Sequence, residues 1–153
     1  MSSVEDRLAQ QGIVLPQAAA PVANYVPFVI TGHLLFAAGQ LPLQDGKLMA
    51  IGKLGANVSL EEGTRAARQC AVNLLAQVKA ALGDLDRVTR VVRLGVFVAA
   101  GPDFTEHPKV ANGASDLMAL AFGDGGKHVR TTVGCPSLPL DAAVEADAIF
   151  EFE

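Results

Sequence analysis

The clearest periodicity in the chain lies between positions 59 and 83. Ala67, Cys70, Ala71, Leu74, Leu75, Val78, Ala81 and Leu82 recur at three- and four-residue steps, which gathers them on one stripe of an α-helix. Ser59 followed by Glu62 has capping-box spacing, in which the hydroxyl accepts from an open backbone N–H and the carboxylate reaches back to the cap. Gly83 predicts the stop. Arg65, Arg68, Gln69, Gln77 and Lys79 fall on the other face, so the helix is expected to pack on one side only, as on a sheet. A second helix is predicted from about Pro108 to Phe122, with Val110, Ala114, Leu117, Met118 and Ala121 as its stripe. Pro108 suits its first turn and Gly123 its end.

The remaining pattern is that of strands. Val26–Ile30 and His33–Ala38 are β-rich runs around a Thr31-Gly32 turn, which predicts a hairpin. Asp45-Gly46 is a further turn, after which Lys47–Ala50 is expected to pair as a short third strand. Arg87–Ala100 reads as a long central strand, apolar on much of both faces. Arg90 and Arg93, an odd number of residues apart, are expected on opposite faces of it. The Gly-rich segment 123–127 is a turn, His128–Val133 a strand and Pro136–Leu140 a loop. In Ala143–Phe152, Val144, Ala146, Ala148, Phe150 and Phe152 alternate with Glu145, Asp147, Ile149 and Glu151, the mark of a sheet with one buried face. Residues 1–12 suit a short helix and 13–24 an extended arm laid over the surface; taken together, residues 1–20 form an N-terminal arm on a single domain spanning 1–153. The order is β-β-(β)-α-β-α-β-β, an α/β (α+β) chain with a mixed sheet and two helices on one face. Apolar residues remain on the opposite sheet face, and an exposed apolar patch of that kind predicts an oligomer.

Composition narrows the function classes. With 153 residues, half of them apolar, one domain can bury a full core without staples. The net charge of −4 and the absence of any Lys/Arg cluster argue against a nucleic-acid surface. Cys70 and Cys135 make no metal-ligand spacing, and Cys70 falls on the apolar stripe. His33, His107 and His128 lie far apart, so neither a metal nor another cofactor is expected. The Gly-rich turn lacks phosphate-loop spacing, and no G-x-S-x-G elbow is present. No signal peptide and no membrane span are evident, which makes the cytoplasm the expected compartment.

Three stretches carry a family resemblance: Tyr25 before an apolar hairpin ending in Ala38-Gly39-Gln40; Asn112 after Asp103-Phe104; and Arg130 before the loop to Leu138-Pro139 and the strand opening Val144-Glu145. In that order and spacing, over about residues 20–152, the chain resembles the YjgF/RidA family and its endoribonuclease L-PSP-like branch. The resemblance implies a chorismate-mutase-like fold, a homotrimer and a pocket between subunits. It implies a deaminase of the 2-iminobutanoate/2-iminopropanoate type, a hydrolase that converts enamines and imines to ammonia and a 2-keto acid. Carried over residue by residue, Arg130 would hold the substrate carboxylate and Glu145 would orient water. Tyr25 and Asn112 would line the pocket, and backbone groups near Gly39 and Thr132 would complete it. Thr132 stands where RidA proteins often carry cysteine.

Each of these residues also has a plainer reading. Arg130 suits bidentate grip of a carboxylate, or an ion pair with Glu145 or Asp147. Glu145 suits activation of water, or is a solvated strand residue like Glu151. Tyr25, the only tyrosine, is a ligand donor or a half-buried wedge. Asn112 bonds a ligand or caps a turn near Gly113. His128 shares a strand face with Arg130 and is either a supporting residue or an exposed one. Three functions therefore compete: imine hydrolysis, non-catalytic binding of a small acid and, weakest, cleavage of single-stranded RNA, which the scarcity of aromatics disfavours.

Overall fold

A computed structural model describes residues 2–21 and 23–153 of the chain. Met1 and Val22, which belong to the expected helix and arm, lie outside the described residues. The elements are α1 (Ser3–Gln10), β1 (Phe28–Thr31), β2 (Leu34–Gln40), β3 (Leu43–Gln44), β4 (Lys47–Leu48), α2 (Leu60–Leu82), β5 (Val88–Ala99), α3 (His107–Phe122), β6 (Val129–Cys135) and β7 (Val144–Phe152). Five strands form one mixed sheet in the order β1-β2-β7-β5-β6, with only β5 and β6 parallel.

Helix α2 begins as its sequence dictates. The Ser59 hydroxyl accepts from the Glu62 N–H at 3.1 Å, and the Ser59 N–H donates to the Glu62 carboxylate at 3.3 Å. Gly83 ends it in the left-handed conformation. Helices α2 and α3 lie side by side on one sheet face. There Val144, Ala146, Ala148, Phe150 and Phe152 of β7 meet Leu74, Leu75, Val78, Leu117 and Met118 in the core. Cys70 is wholly buried within it. Helix α1 packs on α3, and the Asp86 carboxylate accepts from both the Ser3 and Val4 N–H groups.

The opposite face of the sheet carries Val29, Phe36, Val129 and Val133, all exposed, around the half-buried Phe97 and Ile149. The predicted alternation of β7 is exact to the residue in its burial pattern.

Four expectations need correction. The hairpin turn is Gly32-His33, one residue later than expected, because Thr31 still pairs with Leu34. Lys47-Leu48 pairs only with Leu43-Gln44, in a separate ribbon rather than in the main sheet. Arg90 and Arg93 lie on the same face. A register shift between Val91 and Arg93 inserts one extra residue into β5, so Arg90 pairs with Glu151 and Arg93 with Ile149, two residues of one β7 face. Finally, α2 packs on more than one side: Asn73 and Gln77 are buried at 8% and 1% exposure, against the loop after β2 and the N-terminal arm.

Candidate functional site

The sheet sorts the candidate residues into two groups. Arg130 pairs in register with Leu94 and Thr132 with Val96, and both partners belong to the helix-covered core. Arg130 therefore points from the edge strand β6 toward α3. Its Nη1 donates to Asn112 Oδ1 at 2.9 Å and to Ser115 Oγ at 3.0 Å, and Nη2 donates to the Pro108 carbonyl at 3.5 Å. All three acceptors are neutral, and Arg130 makes no ion pair among the described residues. With Nη1 engaged, the Nε/Nη2 edge carries only the longest of these contacts. That edge is the fork geometry suited to a carboxylate.

Behind Arg130 stands a short relay. His128 Nδ1 lies 2.6 Å from the Gly126 carbonyl, which can only accept, so this nitrogen carries the proton. Its Nε2 lies 2.9 Å from the Ser115 hydroxyl oxygen, which also accepts from Arg130 Nη1. His128 is thus a supporting residue on the Arg130 face. Ser115 was not visible as a candidate in the sequence; its one signal is its place three residues after Asn112, one helical turn along α3. Asn112 neither caps a turn nor stands apart, because it sits inside α3 and holds Arg130. Thr132 Oγ1, two residues from Arg130 on the same face, is a buried hydroxyl without a hydrogen-bond partner among the described residues.

The second group lies across the sheet. Glu145 pairs with Phe97 on the open face, where it borders a cavity of about 270 Å³ together with Tyr25, Gly39, Gln40, Leu41 and Pro139. Four residues of β2, Ala37 to Gln40, face only three of β7, Ala148 to Ala146, and this bulge brings Gly39 against Glu145. An added Cβ at Gly39 would lie 2.7 Å from Glu145 Oε1. Burial first, and the neighbouring Asp147 charge second, push the Glu145 carboxyl above its ordinary range. Asp147 is itself engaged, at 3.4 Å from Arg93 Nη1. Tyr25, 48% exposed, lines the cavity.

Within one chain, then, Tyr25, Gly39 and Glu145 come together, and so do Asn112, Arg130 and Thr132, but the sheet separates the two sets. The ion pair of Arg130 with Glu145 or Asp147 is not formed, because they project from opposite faces. Among the described residues no cluster of three or more His, Cys, Asp or Glu could hold a metal ion, and no helix is long and apolar enough to cross a membrane.

Comparison with known proteins agrees with this architecture. The family model described as "YjgF/chorismate_mutase-like, putative endoribonuclease" matches residues 5–150. Protein TCP17 of Trypanosoma cruzi is 52% identical over 149 residues, which cover 97% of this chain and 93% of that protein. The crystal structure of the protein Atu1372, of unknown function, from Agrobacterium tumefaciens aligns with a TM-score of 0.93 at 50% identity, over 98% of this chain and 92% of that one. A crystal structure from Shewanella oneidensis, of a "putative endoribonuclease", aligns with a TM-score of 0.96 at 37% identity, over 99% and 100% of the two chains.

Proposed function

The chain belongs to the YjgF/chorismate-mutase-like family, and from that membership we propose that it hydrolyses reactive enamine and imine intermediates whose small carboxylate is gripped by Arg130, in a pocket shared between subunits of a homotrimer. The observation that carries the reading is the state of Arg130. Its guanidinium is fixed by neutral acceptors, uncompensated by any acid among the described residues, and retains an edge suited to a carboxylate.

The chemistry assigns one task to each half. Arg130 orients the substrate by its carboxylate, with Asn112 and Ser115 keeping the fork in place. Glu145, ionised, takes a proton from water as the oxygen attacks the imine carbon. Glu145 returns that proton to the imine nitrogen to give the carbinolamine, whose hydroxyl proton then passes to nitrogen as the C–N bond breaks, releasing ammonia and leaving the carbonyl of a 2-keto acid. An enamine enters after protonation at carbon. Burial, which raises the Glu145 carboxyl, makes it a better proton acceptor than an exposed carboxylate. Because Arg130 and Glu145 project from opposite faces of one sheet, the reading requires Glu145 of one copy beside Arg130 of the next. The exposed apolar residues around Glu145 favour such a contact.

The test is turnover by mixed assemblies. Purified protein is assayed for ammonia and 2-keto acid from 2-aminoacrylate generated in place. Arg130→Ala and Glu145→Gln are each expected to abolish the acceleration. In a head-to-tail ring of randomly mixed variants, about one quarter of interfaces regain both groups, so about one quarter of wild-type activity returns. No recovery from correctly assembled mixtures overturns the shared pocket. No turnover by wild type over a range of imino acids overturns the hydrolase. Thermal stabilisation by small acids would then support a binding protein, and RNA degradation lost in Glu145→Gln would support an endoribonuclease.

A further inference from the structure

The open face of β7 carries two carboxylates two residues apart, and each lies over a glycine of a neighbouring strand. Glu145 leans toward β2 and occupies the space over Gly39. Asp147 leans the other way, over β5. It pairs in register with Gly95, and an added Cβ at Gly95 would collide with Asp147 Oδ1 and lie 2.9 Å from Arg93 Nη1. Glycine is needed there for room, because any side chain would fill the seat in which the Asp147–Arg93 ion pair rests. Arg93 reaches that seat from two residues along β5, so its guanidinium runs along the strand, 3.4 Å from Asp147 Oδ1. Other titratable groups near Glu145 carry no charge or lie farther off. Tyr25 shares its cavity, Cys135 stands on β6, and Cys70 lies on α2 under Val144. Burial keeps both thiols in the neutral form. Arg90 and Glu151 sit at the far end of the same sheet face.

We infer that Asp147 and Arg93 are positioning residues that govern proton transfer at Glu145, Asp147 repelling the Glu145 anion from its seat over Gly95 and Arg93 holding Asp147 there. The inference rests on the proposed function and names the control of the same site. Two residues along a strand put the like charges about 7 Å apart, a distance at which water and salt do not fully screen them. Burial first and then the Asp147 charge raise the Glu145 carboxyl. A carboxylate beside a like charge takes a proton from water more readily. Left unopposed, the same repulsion would hold Glu145 protonated and unable to accept. Arg93 offsets part of it through the ion pair. The pair thus balances two demands of water activation, a basic carboxylate and an ionised one.

The experiment reads the pH dependence of Glu145 in the assembled protein, where Arg130 of the next copy adds a charge common to every variant. The Glu145 carboxyl carbon is followed by NMR titration, assigned with Glu145→Gln. Over the same pH range, kcat/KM is measured for ammonia release from 2-aminoacrylate generated in place. Asp147→Asn is expected to move the Glu145 midpoint and the acid limb of kcat/KM to lower pH. Activity on that limb should rise about threefold or more while the high-pH plateau falls. Arg93→Gln is expected to move both the other way, with activity on the limb down. Arg93→Lys, which keeps the charge, is expected to restore the wild-type midpoint, and the variant lacking both charges to fall between the two single ones. A merely structural role would lower kcat/KM at every pH and leave the midpoint in place. Shifts of one sign in both single variants, or none in either, overturn the inference. If wild type turns over no imino acid, the hydrolase reading falls and the NMR midpoints decide alone. Opposite shifts then sustain the hold of the pair on Glu145, and unmoved midpoints overturn it.

Discussion

Gly39→Ala separates the stability of this protein from its chemistry. The new methyl would lie 2.7 Å from Glu145 Oε1, 3.1 Å from Cδ and 3.3 Å from Cγ. The carboxylate must recede by about 0.7 Å to reach ordinary contact at 3.4 Å. It has somewhere to go, because Glu145 borders a cavity and the obstruction is the end of a flexible side chain. A displaced rotamer costs about 1 kcal/mol, which lowers the Tm of a chain this size by about 2–4 °C. The chemistry suffers more, since misplacing a reacting group by about an ångström costs on the order of 100-fold. Imine turnover measured beside thermal denaturation should show kcat/KM about 100-fold down with Tm nearly kept. The double variant Gly39→Ala/Glu145→Gln should be no worse than Glu145→Gln alone, because both act through one carboxylate. Unchanged turnover in folded protein refutes the placement of Glu145. A Tm lower by about 10 °C refutes the view that the clash is soft.

Gly113→Ala tests the opposite case. Its methyl would meet the Thr64 backbone oxygen at 2.0 Å, so α2 and α3 must part; we expect about 3 kcal/mol of destabilisation, a Tm lower by roughly 6–12 °C, and reject the reasoning if Tm moves by under about 2 °C. Ser59→Ala should cost about 1 kcal/mol by removing the cap, with Glu62→Ala adding less on top of it than alone, as read by urea denaturation. Glu145 gives a pH signature. Its folded-state carboxyl is raised, so the folded protein holds that proton where the unfolded chain has released it, and stability falls as pH rises from the ordinary carboxylate range through the raised value. Glu145→Gln should therefore be the more stable protein at neutral pH, the gap closing as pH falls to about 4, and a wild type that is more stable at neutral pH would show that burial does not oppose the charge. Ser115→Ala removes one holder of Arg130 and breaks the link to His128, so KM for the carboxylate substrate should rise with little loss of Tm, while Ser115→Thr, which keeps the hydroxyl, should restore it.

How far the sequence reached depended on whether a signal was local. The cap and stop of α2 are legible because Ser59, Glu62 and Gly83 act on their own backbone neighbours. The alternation in β7 is legible because one face meets helices and the other does not. Arg90 and Arg93 could not be placed, since a bulge shifts the period of two by one residue and leaves no compositional mark. Gln77 reads as a surface residue because a glutamine on a helix usually is one. Its burial depends on an arm nearly sixty positions away, whose polyalanine sequence carries no pairing signal. The site divides in the same way. Gly39 and Glu145 meet across adjacent strands, and Asn112 and Arg130 meet between a helix and the strand that follows it. Neither the sheet between the two pairs nor the neutral surroundings of Arg130 could be read from spacing.

That division gives the open sheet face a second role under the proposed reading. Val29, Phe36, Val129 and Val133 lie on the same side of the sheet as Glu145, while Arg130 reaches over the edge strand on the other. Under that reading, a copy that covers the apolar face would also bring the edge strand carrying Arg130 to the border of the Glu145 cavity. Burial of that face and completion of the site then become one event. The desolvation already felt by Glu145 in a single chain deepens on assembly, which raises the advantage of a nearby guanidinium. An ion left alone in such a seam is unfavourable, and one opposite a counter-charge with a carboxylate ligand between is not. The two half-sites are therefore mutually dependent electrostatically as well as sterically, and Arg130→Ala, which leaves the Glu145 carboxylate without a counter-charge, should weaken the assembly along with the chemistry.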